Sequence, residues 1–154
     1  MLAVESRPVD DRGHIENLMA RYCRLYDDGD FEAYAQLFSD AQVVGPLSTL
    51  KSVDEIVAYH RSNCLLYDGI PQTRHVTTNI EIDVADDGLR ANGRSYVTIY
   101  QAVPGFPLQV VFVGGYIDEF AKINGEWRFA QRQAVPYLVG DLSRHAREFL
   151  PATQ

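Results

Sequence analysis

The chain has 154 residues, is 46% hydrophobic and 11% aromatic, with nine Tyr and seven Phe, and carries a net charge of -7. That composition excludes disorder and supplies apolar surface for one core without disulfide or metal staples. A pI near 5.0 removes the basic footprint that nucleic acid or an anionic membrane would require of a partner.

A single domain over residues 1–154 is therefore expected. Cys23 and Cys64 have neither a paired spacing nor a secretory context, which reads as reduced thiols in a cytoplasm. Met1 to Asp11 lacks the basic start and apolar run of a signal sequence, and no later stretch suits a bilayer span. The expectation is a soluble, cytoplasmic protein.

In chain order, residues 1–9 read as a flexible arm, after which Asp10 or Asp11 caps a first helix that runs to about Asp28. Ile15, Leu18, Met19, Tyr22, Leu25 and Tyr26 form its core stripe by three-and-four spacing. On the same wheel Asp27 falls beside Cys23 at the margin of the stripe, whereas Asp28 falls nearly opposite it. A carboxylate at the edge of a core requires a partner. Gly29 stops the helix and Asp30 caps the next, over Phe31 to Phe38. Asp40 to Pro46 is a short strand broken by Gly45-Pro46. Ser52 and Glu55 form a capping box before a third helix whose inward stripe includes Val53, Ile56, Val57, His60 and Cys64. His60 reads first as a hydrogen-bonded core histidine and second as a pocket residue.

From Gln72 the chain turns to strands, Thr73 to Val84, Arg90 to Val103, Leu108 to Lys122 and Glu126 to Tyr137. Asp87-Gly88, Pro104-Gly105 and Asn124-Gly125 join them into an antiparallel meander. Helices first and a meander afterwards predict an α+β domain in which the sheet curls round the helices. Residues 140–150 read as a last short helix, either a lid or a packed terminus, with Leu142, Phe149 and Leu150 facing inward.

The partner for Asp27 is sought in Thr73-Arg74-His75-Val76-Thr77-Thr78-Asn79. Alternation puts Val76, Thr78, Ile80, Ile82 and Val84 on one face and His75, Thr77, Asn79, Glu81 and Asp83 on the other. The second set either faces water or, at its first residues, lines a polar part of a cavity. The chemical reading is a dyad in which Asp27 orients His75 as a general base, with the Tyr22 and Tyr26 hydroxyls beside a substrate oxygen. Asn79 is a weaker pocket candidate. Arg94 and Arg132 lie on strands, where a surface role is the plainer reading and an inward one would bind an acidic group. The four histidines show no ligand spacing, so no metal is expected. Gly114-Gly115 is not a phosphate loop, no dinucleotide fingerprint is present, and neither cysteine lies in a nucleophile motif.

Tyr22 to Asp30, Thr73 to Asn79, and Gly115-Tyr116 through Asn124-Gly125-Glu126-Trp127-Arg128-Phe129 together resemble the NTF2-like superfamily, in its SnoaL-like branch. That branch includes scytalone dehydratase, bile-acid 7α-dehydratase and hexachlorocyclohexane dehydrochlorinase. The resemblance covers roughly Ile15 to Tyr137 and implies a cone-shaped α+β barrel, a deep apolar cavity and catalysis without a cofactor. By the same resemblance Asp27 and His75 match the acid and histidine of the dyad, and Tyr22 and Tyr26 match catalytic tyrosines. Ser95, Gly114 and Tyr116 stand where scytalone dehydratase has a histidine, a serine and an asparagine, so its substrate does not carry over.

The expected function is a dehydratase-like lyase, a dehydrohalogenase-like lyase or an isomerase acting on a small apolar cyclic or carbonyl-bearing molecule. The alternatives are a non-catalytic subunit of aromatic-ring dioxygenase type and a small-molecule binding protein. The resemblance also implies a homo-oligomer, dimer or trimer, formed through the outer sheet face and the strand Leu108 to Ile117.

Overall fold

The computed structural model describes residues 9–154, so the expected arm lies outside the described residues except for Val9. Helix α1 spans Asp11–Asp27, α2 Phe31–Gln36 and α3 Val53–Asn63; the strands are β1 Gln42–Val44, β2 Thr49–Leu50, β3 Thr73–Val84, β4 Arg90–Val103, β5 Phe106–Ile123 and β6 Glu126–Val139. Each helix start follows from its cap. Asp10 accepts from the Gly13 amide at 2.8 Å and Asp30 from the Ala33 amide at 3.0 Å. Ser52 accepts from the Glu55 amide at 3.2 Å, while the Glu55 carboxylate turns back to the Lys51 amide at 2.7 Å, one residue before the usual capping-box donor.

The corner between α1 and α2 requires glycine. Gly29 has φ +74°, and a Cβ there would sit 2.6 Å from the Gly69 carbonyl oxygen. This corner fixes where α1 ends, and therefore where Asp27 points.

The six strands form one mixed sheet in the order β2-β1-β6-β5-β4-β3, with β1 parallel to β6 and every other pair antiparallel. Asn124 and Gly125, with φ +50° and +83°, form the tight β5–β6 turn that their residue types favour. Bulges interrupt the three long ladders and increase their bend, which lets one face wrap the helices. Inside lie Ile15, Met19, Phe31, Phe38, Phe120 and Phe129, all at most 2% exposed. The fold is the expected cone-shaped α+β architecture.

One bulge decides the site. On β3 the register shifts between Thr78 and Glu81, and Asn79 takes φ +52°. Before the shift, Thr73 is buried and Val76 is exposed, while beyond it Ile80 and Ile82 pack on the core. The face that alternation marks as polar therefore points inward at Thr73, His75 and Thr77, and the bulge exchanges the two faces afterwards.

The expected helix in residues 140–150 does not form. The segment makes turns and bonds across to the end of α3, with the Leu65 amide donating to the His145 carbonyl at 3.0 Å and the Arg147 amide to the Asn63 carbonyl at 2.9 Å. Within the segment the Ala146 amide makes one i to i−4 bond, to the Leu142 carbonyl at 3.2 Å, and the bonds to the end of α3 take the place of a continued ladder. The segment still packs inward, through buried Leu142 and an isolated bridge from Ala146 to Cys64.

Candidate functional site

Asp27 is the last residue of α1, where the backbone carbonyls present negative potential and disfavour a carboxylate. Three donors from β3 offset this. Thr73 Oγ1 donates to Oδ1 at 2.7 Å, the His75 amide to Oδ2 at 2.8 Å, and the ring Nδ1 of His75 meets Oδ1 at 2.6 Å. Burial pushes the Asp27 carboxyl upward, but the bonds and charge of His75, with Thr73, outweigh it and hold the group below the usual aspartate value. An ionised Asp27 fixes the proton on Nδ1 and leaves Nε2 with its lone pair free. The two side chains are only 5% and 7% exposed, so this pair is shielded from bulk water.

His75 lines an aromatic cavity of about 200 Å³ between the helices and the sheet, with Tyr22, Tyr26, Tyr34, His60, Tyr116 and His145 among its walls. A cavity of roughly 150 Å³ already holds a benzene ring, so this one has room for a molecule of one or two rings. The Tyr26 and His75 ring centroids are 4.8 Å apart, and Tyr22 lies 5.0 Å from Tyr34 and 5.5 Å from Tyr116. Burial pushes the hydroxyls of Tyr26, Tyr34 and Tyr116 well above the ordinary tyrosine value, which keeps them protonated as donors. Tyr26 Oη donates weakly to Cys64 Sγ at 3.7 Å.

Behind the tyrosines lies a charge pair. Arg132, wholly buried, holds Asp118 through Nε to Oδ1 at 2.8 Å and Nη2 to Oδ2 at 2.7 Å. Its guanidinium carbon stands 3.8 Å from the Tyr116 centroid and 4.2 Å from that of Tyr22. Burial works against the charge, but pairing with Asp118 carries the arginine above its usual value. Arg132 does not line the cavity, so it backs the tyrosine wall and is neither the surface residue nor the substrate contact that its sequence suggested.

Of the other expected site residues, Tyr22, Tyr26, His75 and Tyr116 come together on the cavity, with Asp27 directly behind His75. Asn79 and Arg94 do not. Asn79 is exposed at the β3 bulge and Arg94 points outward from β4, both on the wrong side of the pleat. His60 is corrected in the opposite sense, since it lines the cavity and its Nε2 is enclosed with no hydrogen-bond partner among the described residues. His145 Nδ1 is in the same condition. An unpaired enclosed polar atom costs about 1–3 kcal/mol, so both call for a physical explanation. Tyr34, Thr73 and His145 were not singled out from sequence. The spacing of Tyr34 from Phe31 and Phe38 is the same whether it packs or binds, and the same holds for His145, which stands three residues after Leu142 and four before Phe149 on the inward stripe of the expected helix. Among the described residues no group of three or more His, Cys, Asp or Glu is placed to hold a metal ion.

Solved structures with this fold include Rv3472, a protein of unknown function from Mycobacterium tuberculosis, at 25% identity and TM-score 0.69 over 82% of this chain and 71% of that one. An NTF2-like protein with a cystatin-like fold from Novosphingobium aromaticivorans is 27% identical, with TM-score 0.69 over 82% of this chain and 81% of that one. A candidate scytalone dehydratase from Novosphingobium aromaticivorans DSM 12444 shares the fold at 24% identity and TM-score 0.69, over 90% of this chain and 88% of that one. No curated protein matches the chain. The model of the SnoaL-like domain family matches residues 7–133, and with the NTF2-like architecture around the cavity this chain belongs to that family.

Proposed function

We propose that the chain is a cofactor-independent lyase or isomerase that removes a proton from carbon in a small, largely apolar cyclic or carbonyl-bearing molecule. The observation that carries the reading is the 2.6 Å contact between His75 Nδ1 and Asp27 Oδ1 in a pair hidden from bulk solvent. Nε2 of His75 takes the proton, the C–H electron pair moves toward the carbonyl, and charge grows on its oxygen. Tyrosine hydroxyls at the wall, Tyr22, Tyr26 and Tyr116, donate to that oxygen. As the charge returns from the oxygen, a leaving group departs with its electron pair from the neighbouring carbon, giving an alkene, while His75 passes its proton to that group or to water. Alternatively, in a substrate that already holds a C=C bond, His75 returns the proton to the far carbon and the double bond shifts. Asp27 stabilises the imidazolium between these steps.

The test uses 2-tetralone in deuterated buffer, with loss of the signal from the carbon next to the carbonyl followed by NMR. Wild-type protein is expected to accelerate exchange and His75→Ala to abolish the acceleration while still binding the ketone. Equal exchange by both proteins would overturn the reading.

A second reading, assembly, is favoured by one observation. Tyr96, Tyr100, Leu108, Val110, Tyr137 and Leu138 are all exposed on the long strands. Tyr96 and Tyr137 stand 6.1 Å apart there, forming an apolar patch suited to a second copy of the chain in a dimer or trimer. The beta subunit of a candidate aromatic-ring-hydroxylating dioxygenase shares the fold at 19% identity, so a larger partner chain is the competing occupant. No helix of the described residues is long and apolar enough to cross a membrane, and the buried free thiols Cys23 and Cys64 fit a reducing cytoplasm.

A further inference from the structure

Two polar groups on the cavity wall have no use in the chemistry above. His60 comes from α3 and His145 from the C-terminal segment, and each encloses a ring nitrogen with no partner among the described residues. Both rings gather round Tyr26, at centroid distances of 5.3 and 6.0 Å, as His75 does at 4.8 Å. All three histidines line the same cavity, so a ligand held there faces them together.

His145 is also held firmly in place. Its carbonyl accepts from the Leu65 amide at 3.0 Å, and the preceding Arg144 carbonyl accepts from Tyr67 Oη at 2.8 Å and Gln101 Nε2 at 2.9 Å. These bonds come from two separate parts of the chain, the connection between α3 and β3 and strand β4, and use only backbone of the segment, leaving the imidazole free for a ligand. The segment is a fixed wall of the site.

We propose that His60 and His145 form a second hydrogen-bonding station, which takes a hydroxyl group of the substrate, so that the molecule turned over at His75 is a hydroxylated ring. This rests on the reading of the cavity as a substrate site and narrows it. A hydroxyl both donates and accepts, and a neutral imidazole does the same through its two nitrogens. Burial, with His75 nearby, lowers both rings to about 4, so they are neutral at pH 7. A halogenated hydrocarbon would leave the enclosed nitrogens unpaired and gains nothing from them. An anionic group is disfavoured by Glu148 in the same wall and by Asp27 behind His75.

Calorimetry with three probes of one shape tests this: 2-methylnaphthalene, 2-naphthol, and the tighter of 2,6- and 2,7-dihydroxynaphthalene. The first hydroxyl can satisfy the tyrosine end, so the second reports on the histidines. Wild-type protein is expected to bind the diol about tenfold more tightly than 2-naphthol, one hydrogen bond's worth. His60→Phe and His145→Phe, which keep the wall apolar and filled, should each remove most of that gain, read as the ratio of diol to 2-naphthol affinity within the same variant. His60→Gln should restore part of it. If a variant fails to fold, the imidazole ¹⁵N signals of the wild-type protein decide, since those of His60 and His145 should move with the diol and stay still with 2-methylnaphthalene. No gain in the wild type, a gain retained in both Phe variants, or unmoved ¹⁵N signals would each overturn the station. Because binding is read without turnover, failure of the exchange assay with 2-tetralone leaves this result to stand or fall separately.

Discussion

Asp27 holds His75 twice, taking the ring Nδ1 on one carboxylate oxygen and the backbone amide on the other. The hydrogen bond from the backbone amide ties the carboxylate to the strand, so the ring sits in register with the helix end. Asn at this position keeps the size and one acceptor but places an NH₂ group against one of the three donors. Asp27→Asn is expected to leave the fold intact and to slow exchange of 2-tetralone by roughly 10² to 10⁴, the range seen when a base loses its orienting acid. NMR exchange rates and a thermal melt measured on the same sample check both halves.

The buried imidazoles predict how stability depends on pH. Burial lowers His60 and His145 from 6.5 to about 4, so between those values the unfolded chain binds protons that the folded chain refuses. Their effect is absent above about pH 6.5, destabilises the fold progressively as pH falls, and levels off near pH 4. The ceiling is roughly 3 kcal/mol for each ring. Asp27, held low, adds its own loss only below the ordinary aspartate range. Urea midpoints from pH 7 to 4.5 should fall for the wild type and fall less for His60→Phe and His145→Phe.

Arg132 and Asp118 are both fully enclosed, and removing one leaves the other charge without its partner. Arg132→Met is expected to cost about 3–5 kcal/mol. Pairing it with Asp118→Leu should recover much of that, because two apolar groups leave no buried charge. Denaturant unfolding of the two single variants and the double variant measures the coupling. The tyrosine wall also loses its backing, so exchange of 2-tetralone should remain slow in the refolded double variant.

How far the sequence reveals this arrangement depends on whether the signal is local. The caps at Asp10, Asp30 and Ser52, the stop at Gly29 and the turn at Asn124-Gly125 are read correctly because each involves bonds within a few residues. Asp27 is legible as half-buried from its place on the helical wheel. The pairing of His75 with Asp27 is legible from that carboxylate's need for a partner and from the resemblance, whereas strand alternation leaves the direction of His75 open. The bulge at Asn79, which exchanges the faces of β3, is not read because an Asn inside a strand is only a weak sign of positive φ. The two-residue strand β2 is too short to carry a period. Arg132 looks like any strand arginine until Asp118 is found beside it on the neighbouring strand, a pairing set by register alone. His145 reaches the cavity through a segment that makes one turn on itself at Leu142 and otherwise bonds to the chain at the end of α3, contacts between distant residues that local spacing does not show.

The apolar patch on the outer sheet face predicts self-association. Light scattering after gel filtration should give a dimer or trimer for the wild type, and Tyr96→Glu with Tyr137→Glu should give a monomer with the same circular dichroism. A monomeric wild type would remove this reading while leaving the cavity chemistry untouched, since none of the patch residues named for this face lines the cavity.

The α1–α2 corner gives the most direct link from one backbone angle to the site. Gly29 and Gly69 both have positive φ, but only at Gly29 would a Cβ meet backbone, at 2.6 Å from the Gly69 oxygen. Gly69→Ala carries the cost of its backbone conformation alone, about 1 kcal/mol, and should leave exchange of 2-tetralone unchanged. Gly29→Ala adds a collision that only movement of the corner relieves, so a loss of roughly 2–4 kcal/mol is expected. Asp27 is two residues away, and the moving corner pulls its carboxylate off the three donors of β3. Exchange should then slow at least tenfold in Gly29→Ala at temperatures where the protein is still folded. If the two alanine variants behave alike in both urea midpoint and exchange rate, the corner does not set the position of Asp27.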